Sequence, residues 1–277
     1  MSTTGVNQRP GDGPPALSGH RTPRVVAARR LTSRAGRTEA GRFLAEGAQA
    51  VREALAHGTV HELFVTEAAG DKHPELVASA ADAGARISPI TQRAAEMLSE
   101  TVSPQGLVAV CELVDVPLAE ALSGAPRLVA VLAGIADPGN AGTVLRVADA
   151  AGADAVVFAG DTVDPHNGKC VRASTGSLFH LPVSRERDVA TAIEACRAAG
   201  LRVFAADGYA EAGLESADDL AEPSAWVLGN EAHGLSAEVL ALADRGIRVP
   251  IYGKAESLNL ATAASLCLYA SAMAAHR

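Results

Sequence analysis

From Leu128 onward the chain repeats one pattern: a short run of uninterrupted apolar residues followed by a helical stretch. The runs are Leu128–Leu132, Ala155–Phe158, Leu201–Ala206, Ala225–Leu228 and Ile247–Ile251, and the helical patterns are Thr143–Ala151, Val189–Ala199, Ala237–Ala243 and Leu258–Ala275. A strand with one wet face alternates polar and apolar residues; these do not alternate, so both of their faces are covered. Strands and helices taken in turn then predict an α/β fold with a parallel sheet between helical layers. Such sheets bind ligands at the carboxyl ends of their strands. The loops after Leu132, Ala206, Leu228 and Ile251 are therefore where function is expected.

The rest of the chain supports a second, smaller unit, since 277 residues exceed the usual size of one domain. Residues 24–112 read as α/β: helix Glu46–Ala56, strand Val60–Val65, helices Pro74–Ala83 and Ala94–Ser99, strand Leu107–Cys111. Pro117, Gly124 and Pro126 mark residues 113–126 as a linker, leaving 127–277 as the second domain. Residues 1–23 are expected to be a disordered tail, because Met1 to Pro15 is rich in Gly, Pro, Ser and Thr and lacks the apolar core of an export signal. Leu258–Ala275 is uncharged for 18 residues but carries Asn259, Thr262, Ser265 and Ser271, which predicts a helix buried in protein, with no membrane partner. Cys111, Cys170, Cys196 and Cys267 lie far apart with no Cys-x-x-Cys pair, so a disulfide scaffold and a cysteine zinc site are not expected, and a reducing cytoplasm is.

A net charge of −8 conceals an asymmetry. Residues 1–42 hold eight Arg (Arg9, Arg21, Arg24, Arg29, Arg30, Arg34, Arg37, Arg42) against Asp12 and Glu39, a balance of +6, which leaves −14 for the remainder. A basic end on an acidic body suits an anionic partner met at that end, or serves only to keep the chain soluble.

Three loops carry the candidate chemistry. In Asp137-Pro138-Gly139-Asn140-Ala141-Gly142-Thr143, a Pro-Gly turn leads into a helix whose first N–H groups suit an anion, with Arg146 six residues beyond Asn140. Arg146 is either at that mouth or simply on the surface. In Gly229-Asn230-Glu231-Ala232-His233-Gly234-Leu235-Ser236, glycines flank a carboxylate directly after a buried strand, and Ser236 is the expected N-cap of the next helix. Glu231 is positioned to fix the neighbouring loops. His233 reads as a solvated loop residue, since no second ligand sits at metal spacing and no metal is expected. In Val249-Pro250-Ile251-Tyr252-Gly253-Lys254-Ala255-Glu256-Ser257-Leu258-Asn259, Ser257 is the expected N-cap of the last helix, and Asn259 either braces the loop or touches a ligand. No Gly-x-Gly-x-x-Gly, Walker A or Gly-x-Ser-x-Gly pattern accompanies these loops, which sets aside dinucleotide-binding, P-loop and serine-hydrolase readings.

In this order the loops resemble the three signature motifs of the SpoU (TrmH-like) RNA methyltransferases of the SPOUT superfamily. The matching residues are Asn140, Gly142, Thr143 and Arg146; Gly229-Asn230-Glu231 with Gly234; and Pro250-Ile251 with Glu256-Ser257-Leu258-Asn259. Asp164-Pro165-His166-Asn167 and Val171-Arg172-Ala173-Ser174-Thr175-Gly176 resemble the segment between the first two motifs, and residues 24–112, with Phe43-Leu44-Ala45-Glu46-Gly47, are similar to the substrate-binding domain of many members. The resemblance implies a C-terminal trefoil-knotted parallel-sheet methyltransferase domain behind a smaller α/β domain. It implies S-adenosylmethionine held by Ala206, Gly229, Val249, Ile251, Ser257 and Leu258, and a homodimer with the last helix near its interface. The implied reaction is methylation of a ribose 2′-hydroxyl in RNA, ribosomal in preference to transfer RNA. Arg146 would be catalytic, as base or as electrostatic stabiliser, with Asn140, Glu231 and Asn259 holding the pocket. RNA phosphates would fall to Arg24, Arg29, Arg30, Arg34 and Arg37. Two rivals stand beside this reading. A non-catalytic ribosome-assembly factor would share the fold, and an enzyme acting on a small phosphorylated metabolite would share the glycine-rich helix start.

Overall fold

A computed structural model describes residues 17–277. In chain order its elements are α1 (Pro23–Arg30), α2 (Arg34–Ala40), β1 (Arg42–Glu46), α3 (Ala48–His57), β2 (Val60–Val65), α4 (Glu67–Lys72), α5 (Pro74–Asp82), β3 (Arg86–Pro89), α6 (Gln92–Leu98), β4 (Leu107–Glu112) and α7 (Leu118–Ala121). There follow β5 (Leu128–Ala133), α8 (Pro138–Ala150), β6 (Ala155–Ala159), α9 (Gly168–Ser174), β7 (Val183–Glu186), α10 (Val189–Ala198), β8 (Arg202–Ala206), β9 (Ala212–Gly213), β10 (Ser224–Leu228), α11 (Ala237–Leu242), β11 (Arg245–Arg248) and α12 (Leu260–Ala275).

The strands form two sheets. The first, β1-β4-β2-β3, is mixed: β4 runs antiparallel to β1 and β2, and β3 is parallel to β2. The second, β7-β6-β5-β10-β8-β11-β9, is parallel at every pairing. Its apolar runs feed two faces at once. Leu128, Ala130, Leu132, Phe158, Phe204 and Trp226 point into the core shared with α8 and α12, while Val129, Val131, Val157, Val203 and Val227 point into the core under α10. Continuous hydrophobicity thus reflects two interleaved period-two faces, each with its own helical cover. The Trp226 indole, fully buried, donates to Ser271 Oγ on α12 at 2.9 Å, which fastens the last helix to β10.

The first sheet is covered on one face by α1 and α6, where Val25, Ala28 and Leu31 meet Phe64, Ile90 and Leu98. Its other face joins Phe43, Leu63 and Leu107 to the core of the second sheet. The described part of the basic segment is therefore built on two packed helices rather than a loose arm. Gly36 makes their tight junction possible, since a Cβ there would lie 2.0 Å from the Arg30 carbonyl oxygen.

Several sequence expectations shift. Met1–Pro15 lies outside the described residues, but residues 17–23, assigned to the tail, are ordered: the Ser18 N–H donates to Pro89 O at 2.8 Å and Thr22 O accepts Val26 N–H at 3.0 Å at the start of α1. The first-loop turn is already helix, because Pro138 occupies the first turn of α8, where a missing N–H costs nothing, and Asp137 caps it. Ser257 is not the cap of α12. Asn259 is: its Oδ1 accepts the N–H groups of Ala261 and Thr262 at 2.9 and 3.4 Å, so the helix starts at Leu260. Nor is that helix buried all round. Ala261, Ala264, Cys267 and Leu268 are inside, while Leu266, Tyr269 and Met273 face outward. Among the described residues no helix is long and apolar enough to cross a membrane. All four cysteines are free and buried.

Candidate functional site

Because all strands of the second sheet run the same way, the loops after β5, β8, β10 and β11 emerge on one edge. Chain order reverses between β5 and β10, and an open cleft lies there, lined by Ala136, Asp137, Asn140, Asn230, Glu231, Ala232 and Asn259.

Glu231 organises the cleft. One carboxylate oxygen accepts Ala136 N–H, and the other accepts Asp137 N–H and Asn140 Nδ2, each at 3.1 Å. A carboxylate only accepts, so the Asn140 amide must turn its nitrogen toward Glu231 and its oxygen away. That oxygen accepts Asn259 Nδ2 at 3.0 Å, which leaves the Asn259 oxygen for the first N–H groups of α12. One charge thus fixes two amide orientations and ties together three loops, the first of them 91 and 119 residues from its two partners in sequence. Partial burial works against the Glu231 charge, but the hydrogen bonds from Asn140 and from the backbone of Ala136 and Asp137 outweigh it and hold the carboxyl below the usual range. Asn230 adds a further clasp, its Nδ2 donating to Gly134 O at 2.8 Å while its Oδ1 accepts Ala232 N–H.

The anion expected at the start of α8 is supplied by the protein itself. Asp137 accepts Asn140 N–H at 2.8 Å and is paired with Lys169 Nζ at 2.6 Å, and Glu231 takes the preceding N–H groups. Gly142 serves packing: a Cβ would lie 2.3 Å from the Cys170 carbonyl oxygen, so α8 and α9 touch through it.

Arg146 sits one face away, exposed on α8, with Nη1 donating to Thr175 Oγ1 at 3.4 Å. Thr175 closes α9 at φ 53°, a left-handed conformation that a β-branched residue rarely takes. The sequence pointed to Arg146 but not to Thr175, whose only signal was its place in the segment between the motifs.

Of the other predicted residues, Ala206 ends β8, Gly229 follows β10, and Val249, Ile251, Ser257 and Leu258 lie in or next to the loop between β11 and α12. A Cβ at Gly229 would lie 2.5 Å from the Gly234 carbonyl carbon, so this glycine lets the Glu231 loop fold back on itself. Among the basic residues, Arg29, Arg30 and Arg34 are exposed and have no ion-pair partner among the described residues, and Arg24 is paired with Glu62 at 3.5 Å. Arg37 is misassigned as a phosphate contact. It is 3% exposed and its guanidinium pairs with Asp164 at 2.8 Å, so no phosphate reaches it.

Comparison with known proteins agrees with this geometry. Residues 127–269 match the SpoU rRNA Methylase family, and residues 22–109 match the MRM3-like substrate binding domain. The chain belongs to the SpoU rRNA methylase family. It is 36% identical over 242 residues to the 23S rRNA (guanosine(2553)-2′-O)-methyltransferase RlmP of Bacillus subtilis (strain 168), covering 87% of this chain and 92% of that one. Among solved structures, the AdoMet-bound rRNA methyltransferase from Sinorhizobium meliloti superposes with TM-score 0.81 at 29% identity, covering 92% of this chain and 97% of that one. The SpoU methyltransferase AviRb from Streptomyces viridochromogenes, in complex with AdoMet, gives TM-score 0.79 at 30% identity, covering 91% and 98%. The SpoU match contains the whole Glu231–Asn140–Asn259 network, and the substrate-binding match contains the exposed arginines of α1 and α2.

Proposed function

We propose that this SpoU-family chain transfers a methyl group from S-adenosylmethionine to a ribose 2′-hydroxyl in 23S ribosomal RNA. The observation that carries the reading is the Glu231–Asn140–Asn259 network in a chain whose family and relatives are rRNA ribose methylases.

The residues at the sheet edge fit the cofactor. Among the described residues, the backbone N–H groups of residues 251–258 donate no hydrogen bond, and Ile251 and Tyr252 are exposed apolar side chains beside them. Unspent backbone donors next to apolar surface suit a flat purine carrying an amino-acid tail better than they suit a phosphate. Ala206, Gly229, Val249, Ile251 and Leu258 would hold the cofactor, and Ser257 would contribute from the loop. The bound sulfonium would supply an activated methyl group. The protein must then align the ribose oxygen and help it shed its proton. Arg146 is the catalytic group in this reading. A guanidinium holds its proton tightly, so the role that suits it is stabilising the developing alkoxide or gripping a neighbouring phosphate. Asn140 keeps one amide hydrogen beyond its bond to Glu231, enough to orient the ribose, while Glu231 and Asn259 hold the pocket.

Residues 24–112 would bind RNA through Arg29, Arg30 and Arg34, with Arg24 adding charge beside them; 113–126 would be the linker and 127–277 the catalytic domain. α12 packs on β8, β10, β5 and α8, and membership of the SpoU family is what supports a knotted carboxy-terminal domain. The outward stripe Leu266, Tyr269 and Met273 supports a homodimer with α12 at its interface. Four reduced, buried thiols suit the cytoplasm, where ribosomal RNA is met.

The test is methyl transfer in vitro from labelled S-adenosylmethionine to 23S rRNA, followed by nucleoside analysis. A single 2′-O-methylated nucleoside is expected. Label on a base, on tRNA alone, or nowhere overturns the reading.

A further inference from the structure

Away from the cleft, three side chains converge where the two sheets' units meet. Glu53 and His57 lie one turn apart at the end of α3, and His180 follows the turn Ser177–Phe179. Glu53 Oε2 is 3.1 Å from His180 Nε2 and 3.8 Å from His57 Nε2, and all three donor atoms lie within 4.8 Å of one another. Donors around a tetrahedral zinc ion at bond lengths of about 2.0–2.2 Å are about 3.4 Å apart, so the two Glu53 distances bracket the spacing a metal site needs.

The surroundings aim these atoms inward. Glu53 Oε1 accepts Gln49 Nε2 at 2.7 Å, which leaves Oε2 for the imidazoles. His180 Nδ1 is 2.8 Å from Asp149 Oδ2 on α8. A carboxylate there accepts a hydrogen bond from Nδ1–H and would leave Nε2 free for a metal, the outer support that metal-binding histidines almost always have. The close approach depends on two glycines. A Cβ at Gly176 would lie 2.3 Å from Glu53 Cγ, and one at Gly58 would lie 3.0 Å from the Phe179 ring. His180 Nε2 is at hydrogen-bond distance from Glu53 Oε2, so without a metal a proton on Nε2 joins the pair; a cation would replace that proton and recruit His57 Nε2 as well. Shared coordination of a cation satisfies all three at once.

We propose that Glu53, His57 and His180 bind one divalent transition-metal ion of the zinc class, a tie between α3 of the N-terminal unit and the methyltransferase unit. Two imidazoles and one carboxylate suit zinc over magnesium or calcium, and a fourth position stays open to water. Sequence spacing hides the site, because His180 is supplied from the other unit.

The test uses the untagged full-length chain, stripped with chelator and titrated calorimetrically with zinc sulfate. One equivalent of zinc is expected to bind, with a rise in melting temperature. His57→Gln and His180→Gln should weaken binding more than tenfold, Asp149→Ala by about ten- to a hundredfold through lost support of His180, and His61→Gln, outside the cluster, not at all. Cobalt(II) in the unaltered chain should give the intense visible absorption of a four-coordinate site, and that spectrum decides the matter if a variant fails to fold. Absence of stoichiometric uptake, binding indifferent to His57→Gln and His180→Gln, or a cobalt spectrum of the weak six-coordinate kind overturns the proposal.

Discussion

Arg37 separates a structural role from a substrate role more cleanly than any other residue here. Its Nε and Nη2 donate to Asp164 Oδ2 at 2.9 and 2.8 Å, and its Nη1 donates to the carbonyls of Leu31 and Thr32 at 3.0 Å each. Both charged side chains are almost wholly buried, and they join α2 to the loop before α9. Arg37→Ala removes the closest countercharge of Asp164, leaving it Arg185 at 3.7 Å and the His166 N–H at 3.0 Å, and strands two carbonyls. Breaking a buried pair from one side costs about 3–5 kcal/mol. At about 2 °C per kcal/mol for a chain of this size, the melting temperature should fall by about 6–10 °C. Burial alone would raise the Asp164 pKa, but hydrogen bonds from His166 and the charge and hydrogen bond of Arg37 reverse this and hold it well below the usual range. The depressed folded value fixes the sign: the contribution is complete above the unfolded carboxylate value of about 3.9, and fades as pH falls through the folded value. The gap between wild type and Arg37→Ala should thus be constant from pH 5 to pH 8, about the range of ordinary assays, and shrink only under acid. Circular-dichroism melts of both chains measure it. An Arg37→Ala protein that melts within about 1 °C of wild type, yet loses salt-dependent RNA affinity as an exposed arginine would, refutes the buried pairing.

Further outcomes follow from the same geometry. Replacing Arg29, Arg30 and Arg34 together with Ala should flatten the logarithmic salt dependence of RNA binding by about two to three, with stability nearly unchanged, as read by filter binding across a salt series. Glu231→Gln places an amide NH2 against the Asn140 Nδ2 or a backbone N–H, so S-adenosylmethionine affinity should drop about tenfold in calorimetry; undiminished binding would detach the carboxylate from the pocket. Thr175→Gly relieves a left-handed threonine while freeing the Arg146 side chain. Thermal stability should hold or rise and turnover should fall with KM for RNA little changed, whereas equal loss of both would mark a folding defect.

The strands buried on both faces were legible in the sequence, because β2, β4, β5, β6, β8 and β10 carry enough adjacent apolar residues to announce themselves. β1, β3 and β7 did not. Val183-Ser184-Arg185-Glu186 and Arg86-Ile87-Ser88-Pro89 are short edge strands defined by the neighbour they pair with, not by composition. The helical spacing of Val25, Ala28 and Leu31 was present but masked by intervening arginines, so two packed helices read as a charged arm. The site divides the same way. Family likeness singled out Asn140, Glu231 and Asn259, while the amide polarity that one carboxylate imposes on them is a property of contacts 91 and 119 residues apart in sequence. Arg37 and the other arginines of α1 and α2 are alike in composition, and only burial distinguishes it.

The decisive measurement is a ribose-methylation map of 23S rRNA from a deletion strain carrying either the unaltered chain or Arg146→Ala. Restoration of one 2′-O-methyl mark by the unaltered chain, and its loss by at least tenfold with Arg146→Ala at equal protein level, is the expected result. A mark restored equally by both, or by neither, contradicts a methyl-transfer site built around this guanidinium.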